Sequence, residues 1–171
     1  MIRQCRKTDL VSIHTVINRA ASVYMSVIPA DRWKEPYMSE DELAEEIGAG
    51  VNFWCCEEEG NILGVMGIQD VKDVTLVRHA YVRPECQKRG IGSDLLQHLV
   101  RLTERHLLVG TWAAAAWAVG FYEKHGFVLV TEEEKNLLLR KYWHIPERQV
   151  ETSVVLKMVR HGILLQGTMT G

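Results

Sequence analysis

The stretch Gln87-Lys88-Arg89-Gly90-Ile91-Gly92 joins two segments of different periodicity. Before it, Val74-Thr75-Leu76-Val77-Arg78-His79-Ala80-Tyr81-Val82 is rich in β-branched and aromatic residues and reads as a strand. After it, apolar residues at Ile91, Leu95, Leu96, Leu99 and Leu102 form the stripe of an amphipathic helix. Glycine at the junction lets backbone N–H groups approach an anion, and the helix N-terminus adds partial positive charge. Lys88 and Arg89 add two full charges, so the turn has the chemistry of a pyrophosphate cradle.

Two familiar owners of such a turn are excluded by its neighbours. A dinucleotide fingerprint would place glycine at position 88, which is Lys. A P-loop would follow its last glycine with Lys and Ser or Thr, whereas Gly92 precedes Ser93-Asp94. A glycine pair serving only the strand-to-helix turn is the remaining alternative.

Outward from this turn, Ile2 to Cys5 reads as a first strand. Thr8 or Asp9 is a plausible N-cap for a helix carrying Leu10, Ile13, Val16, Ile17, Ala20 and Tyr24. Pro29 and Pro36 bracket a loop, and Ser39 with Glu42 forms a capping-box pattern that opens a second helix, ended by Gly48 and Gly50. Strands follow at 51–57 and 62–68 around the Glu59-Gly60-Asn61 turn, and a polar turn at 70–73 leads into the strand before the cradle. Beyond the cradle helix lie a strand at 107–112, a helix over 114–124 stopped by Gly126, and a strand at 127–130. A helix over 132–143 closed by Pro146 and a last strand at 151–158 complete the order. Three consecutive strands on tight turns are antiparallel, while strand–helix–strand units imply parallel neighbours. The fold class is therefore α/β (α+β), with a mixed, mostly antiparallel sheet and helices on both faces.

The chain of 171 residues has the length of one domain, expected over 1–159, with a loosely ordered tail over 160–171. Lys plus Arg total 20 against 22 for Asp plus Glu, a balance without the broad basic field of a nucleic-acid binder. No stretch reaches the ~18 apolar residues of a membrane span, and Met1-Ile2-Arg3-Gln4 lacks a signal-peptide core. Cys55 and Cys56 are adjacent in a strand and point to opposite faces, so reduced thiols and a cytoplasmic location are expected.

The run Tyr81-Val82-Arg83-Pro84-Glu85-Cys86-Gln87-Lys88-Arg89-Gly90-Ile91-Gly92-Ser93-Asp94-Leu95-Leu96 resembles the acetyl-CoA-binding motif of the GNAT superfamily of N-acetyltransferases, Val-x-Pro-x-x-Gln/Arg-x-x-Gly-x-Gly/Ala. Ala118-Val119-Gly120-Phe121-Tyr122-Glu123-Lys124-His125-Gly126-Phe127 is similar to a second family segment that follows it in the right order. The resemblance implies the acyl-CoA N-acyltransferase fold with a splayed parallel strand pair, and acetyl-CoA as co-substrate with no metal. It also implies a primary amine of a small molecule or peptide as acceptor. It implies that Tyr81, Val82 and Arg83 lie along the pantetheine arm and that Gln87, Lys88, Arg89, Gly90, Ile91, Gly92 and Ser93 hold the pyrophosphate. The Val82 amide would face the thioester carbonyl, and Tyr122 would meet the cofactor and protonate the departing thiolate. Tyr24, Trp33 and Tyr37 match a loop that faces the acceptor. The 140–144 stretch, Arg140 to His144, is a further candidate for that role, with an oligomer contact or a solvated helix face as equal alternatives.

The sequence also departs from the family pattern. Leu76 stands where relatives that acetylate histone-type lysines carry a basic glutamate, and Ala113 to Ala116 replace an asparagine that contacts the cofactor arm. His79 is the candidate base, sharing a face with Val77 and Tyr81 by strand alternation, with a structural histidine as the competing reading. Asp73 and Glu35 are further candidates. A CoA-binding regulatory module without turnover, an acyltransferase for longer acyl groups, and a homodimer all remain open.

Overall fold

A computed structural model describes residues 1–160; the expected tail, beyond Arg160, lies outside the described residues. The elements are β1 (Ile2–Gln4), α1 (Leu10–Ala21), α2 (Glu40–Gly48), β2 (Asn52–Glu58), β3 (Asn61–Val71), β4 (Val74–Val82), α3 (Ile91–Val100), β5 (His106–Trp112), α4 (Ala116–Lys124), β6 (Phe127–Leu129), α5 (Glu132–Tyr142), α6 (Glu147–Glu151) and β7 (Ser153–Met158). All seven strands of the described residues join one sheet in the order β1-β2-β3-β4-β5-β7-β6. Its one parallel contact among the described residues is β4 with β5, and every other neighbour is antiparallel. The mixed, mostly antiparallel sheet of the sequence reading is thus observed.

Only the strand–helix–strand unit through α3 places its strands side by side in parallel. The unit through α4 sends β6 to the far edge, because β7 returns between β5 and β6. Local differences have local causes. Asp9 occupies the N-cap position of α1 but does not cap it. Its carboxylate instead accepts from Arg3 Nη1 at 2.8 Å and from the Arg6 amide at 2.6 Å, and Arg3 Nε also reaches Glu57 at 2.6 Å. Ser39 accepts from the Glu42 amide at 3.1 Å, half of a capping box, while the Glu42 carboxylate turns to Lys34. Tyr24 falls in a 3₁₀ turn after α1, Leu102 lies exposed beyond α3, and the short α6 fills residues left unassigned before the last strand, overlapping its expected start only at Glu151.

The sheet is buried on both faces. Ile91, Leu95, Leu96 and Leu99 of α3 pack with Tyr122 of α4 against Leu63, Met66, Val77, Leu107 and Val109. On the other face, Ile13, Val16 and Ile17 of α1 and Leu43 of α2 cover Phe53, Cys55 and Val65. Cys55 and Cys56 do face opposite cores. A third helical cover comes from α5 and α6, where Tyr142 meets Val74, Leu76 and Leu108, and Leu139 and Val150 meet Val155.

Two consequences of this packing are measurable. A Cβ on Gly64 would stand 2.9 Å from Ile91 Cγ2, so β3 lets the first turn of α3 approach closely. Gly64→Val is expected to destabilise the fold by about 1–3 kcal/mol in urea titration through overpacking. The Arg3 hydrogen bonds hold the Asp9 carboxyl below its usual range, so the stability it contributes is full above about pH 4 and is lost as pH falls through the lowered value. Asp9→Asn should cost about 1–2 kcal/mol at pH 7, with the difference from the unaltered chain shrinking in unfolding curves recorded below about pH 4.

Candidate active site

The site begins where β4 and β5 part. Their parallel pairing runs from Val74↔His106 to Val77↔Val109 and stops. Beyond it, β4 keeps its bonds to β3 while β5 follows β7, and a gap opens between 78–82 and 110–112. The divergence coincides with a bulge in β4: Val65 pairs with Tyr81 and Gly67 with Arg78, so Met66 alone faces His79 and Ala80. His79 adopts a left-handed φ of 53°, rare for a residue with a side chain.

The bulge corrects the expected alternation. Val77 points to the α3 face, but His79 lies on the opposite face, stacked on Phe53 with ring centroids 5.9 Å apart. Tyr81 shares that face with His79, as alternation proposed. The bulge also orients the last residues of the strand. The Arg83 amide donates to Leu63 O at 2.8 Å, and hydrogen-bonded pairs alternate along an antiparallel ladder. Val82 therefore turns its N–H and C=O away from β3, into the gap.

A cleft of about 590 Å³ runs along this edge. It is lined by Tyr81, Val82, Gln87, Lys88, Gly92 and Tyr122, with Trp117 and Phe121 of α4 opposite. At its cationic end, Lys88 and Gly90 both adopt left-handed φ, 62° and 81°, which turns successive amides toward one concavity. Among the described residues no side chain caps α3, so its first-turn amides stay open to an anion. Lys88 makes no ion pair among the described residues, whereas Arg89 is held by Glu58 at 2.8 Å. These features fit a diphosphate followed by an amide-bearing arm.

Not every proposed donor-side residue lines the cleft. Arg83 turns its Nε to Ile62 O at 2.7 Å, and Ile91 is buried in the core. Gly90 shapes the turn without lining the cleft, and Ser93 sits in the first turn of α3 outside it.

A second cavity of about 160 Å³ occupies the gap itself. Tyr24, Ala80, Tyr81 and Tyr122 line both spaces, so the two meet there. Tyr37 lines the second cavity and accepts a hydrogen bond from Tyr81 Oη at 3.1 Å. Trp33 does not reach it; its ring lies 5.8 Å from that of Tyr37 and backs it. Asp73 and Glu35 are also elsewhere, bonded to Tyr142 and Trp33. From the 140–144 stretch only Trp143 lines the cavity, lying over Gly110, and Gln149 and Ser153 close the wall.

Electrostatics in the gap favour neutral groups. Burial pushes the Tyr122 and Tyr81 phenols well above their usual range and Tyr24 up to about 12, so all three keep their protons. Burial lowers the imidazole of His79, against the opposing pull of Glu46, so it is neutral near pH 7. Glu46, on α2, was not singled out by sequence. Its Oε2 lies 3.1 Å from His79 Nε2 and 2.9 Å from Arg78 Nη2. Burial would raise its carboxyl, but those two partners hold it below the ordinary value. Only its position in an acidic helix marked it, and that signal is shared with Glu40, Asp41, Glu42 and Glu45.

Comparison with known proteins places this geometry. Residues 18–139 match the family described as acetyltransferase (GNAT) domain. Over 132 residues the chain is 26% identical to the peptidyl-lysine N-acetyltransferase YiaC of Escherichia coli (strain K12), covering 76% of this chain and 84% of that protein. Among solved structures, a PaiA N-acetyltransferase from Thermoplasma acidophilum in complex with coenzyme A superposes with a TM-score of 0.71 at 15% identity, over 94% of this chain and 98% of that one. The ribosomal-protein-S18-alanine N-acetyltransferase of Escherichia coli gives 0.67 at 20% identity, over 96% and 97%. These two share the fold. With the family match spanning most of the chain, the protein belongs to the GNAT acetyltransferases and is an acetyl-CoA-dependent N-acetyltransferase.

Proposed function

We propose that the chain transfers acetyl to a primary amine of a small molecule or peptide by direct attack, with the donor in the 590 Å³ cleft and the amine in the gap cavity. The observation that carries this reading is the meeting of the two spaces at Tyr24, Ala80, Tyr81 and Tyr122. A two-substrate displacement needs such a junction, because both reactants must be held within contact distance. A peptide amine is supported by the relative named as a peptidyl-lysine N-acetyltransferase. The tyrosine-walled cavity also suits the alkyl stem of an amine.

Bound acetyl-CoA supplies an acetyl thioester. The turned-out edge of Val82 holds the amide-bearing arm, and the Val82 amide stabilises negative charge developing on the thioester oxygen. The Lys88–Gly92 turn holds the diphosphate. His79, neutral near pH 7, takes one proton from the acceptor ammonium. The freed amine forms the C–N bond as the C–S bond breaks. Tyr122 gives its proton to the departing sulfur and is reprotonated by the proton released from the new amide nitrogen. One proton leaves in total, by way of His79.

Acetyl-CoA consumption across alkyl amines, amino acids and a lysine-containing peptide tests the acceptor class, and consumption with none of them would overturn the reading. Tyr122→Phe is expected to lower kcat by about 10²-fold, while the Kd for CoA from calorimetry stays unchanged. An unchanged kcat would remove Tyr122 from the acid role. Lys88→Gln should weaken CoA by about tenfold, and Gly90→Val, forced into a left-handed φ, should abolish the thermal stabilisation that CoA gives.

A further inference from the structure

His79 is held by a second residue whose placement has a cost. Glu46 lies in the last turn of α2, where the helix dipole disfavours a carboxylate and no basic residue of the helix compensates. Its charge is met from β4 instead. Arg78 Nη2 donates to it at 2.9 Å and Arg78 Nη1 donates to Gln69 Oε1 at 2.8 Å, which fixes the guanidinium between α2 and β3. The same Glu46 oxygen lies 3.1 Å from His79 Nε2.

A carboxylate can only accept, so a neutral His79 must carry its proton on Nε2. Nδ1 then bears the lone pair. It makes no hydrogen bond among the described residues and is not one of the buried polar atoms left unsatisfied. His79 lines the gap cavity with a side chain 14% exposed. The β4 bulge brings the ring to this position, since straight alternation would have sent it to the α3 face.

We propose that Glu46 is a positioning residue for acetyl transfer: it fixes the His79 tautomer so that Nδ1 faces the acceptor, and it stabilises the imidazolium formed when His79 takes the proton. The inference rests on His79 acting as base. The charged or ionisable groups around His79 are Glu46 from α2, Arg78 from β4, and Tyr37, Tyr81, Tyr24 and Tyr122 around the cavity; Phe53 of β2 stacks without charge.

Loss of the Glu46 charge disfavours imidazolium, so the His79 transition moves to lower pH. Loss of the Arg78 charge moves it to higher pH. In Glu46→Gln, kcat/KM with acetyl-CoA and the best amine of the panel should fall about tenfold, with the acid limb of the pH profile displaced downward. Arg78→Gln should displace that limb upward. Nitrogen-resolved NMR of the chain without CoA should show the Nε2–H tautomer and the same two displacements, independently of turnover. In a His79→Ala background, Glu46→Gln should add no further loss.

An acid limb and an NMR transition unmoved in Glu46→Gln would overturn the proposal, as would losses that multiply in the double variant; either would leave Glu46 a structural partner of Arg78. If His79→Ala alone leaves the rate unchanged, the reading of His79 as base fails first. If the unaltered chain acetylates nothing, the function reading fails and takes this proposal with it.

Discussion

The site depends on backbone hydrogen bonding that is withheld. A parallel ladder would satisfy both strand edges along its length, yet β4 and β5 pair for four residues and then separate. The unpaired backbone of Val82 would be unfavourable in a closed core. It is tolerated because the gap is a cavity on one side and a cleft on the other, where a ligand amide or water can meet it. The separation is held from outside: β3 keeps its ladder to Val82, and β7 takes β5 as far as Trp112. The bulge at His79–Ala80 absorbs the mismatch in register.

Packing then sets the two substrate sides apart. The larger cleft runs between α4 with the start of α3 and the end of α1 at Ala20 to Tyr24, and α3 and α4 share a continuous core with Met66, Val77 and Val109. The other face, under α1 and α2, carries Phe53 and the ring of His79. Tyr81 and Tyr122 approach from opposite faces and meet at the junction of the two cavities, near the plane of the sheet.

The turn proposed to hold the donor was legible in the sequence because its chemistry is local. A diphosphate cradle needs consecutive amides, glycine and nearby cations, and these stand together from Gln87 to Gly92. The acceptor side was legible only in fragments. Tyr24 and Tyr37 line the gap cavity, but Trp33 was drawn in by its composition and serves as backing for Tyr37. Glu46, Gln149 and Ser153 come from separate elements, and no spacing joins them. The bulge left no mark, since a left-handed residue is usually foreshadowed by glycine and here it is His79. The expected alternation failed at that residue, reversing where its ring faces relative to Val77.

The helical pair α5 and α6 interrupts what would otherwise be a direct return from β6 to β7. It has a small core of its own around Leu139, Val150 and Val155, and the buried Lys135 ammonium ties the two helices by donating to Val150 O at 2.9 Å. This insert contributes Leu139, Trp143, Ile145 and Gln149 to the gap cavity and nothing to the larger cleft. Divergence confined to 131–151 can therefore reshape the floor of the gap cavity proposed for the acceptor while leaving the larger cleft untouched, making that excursion a separable module for evolving new substrates.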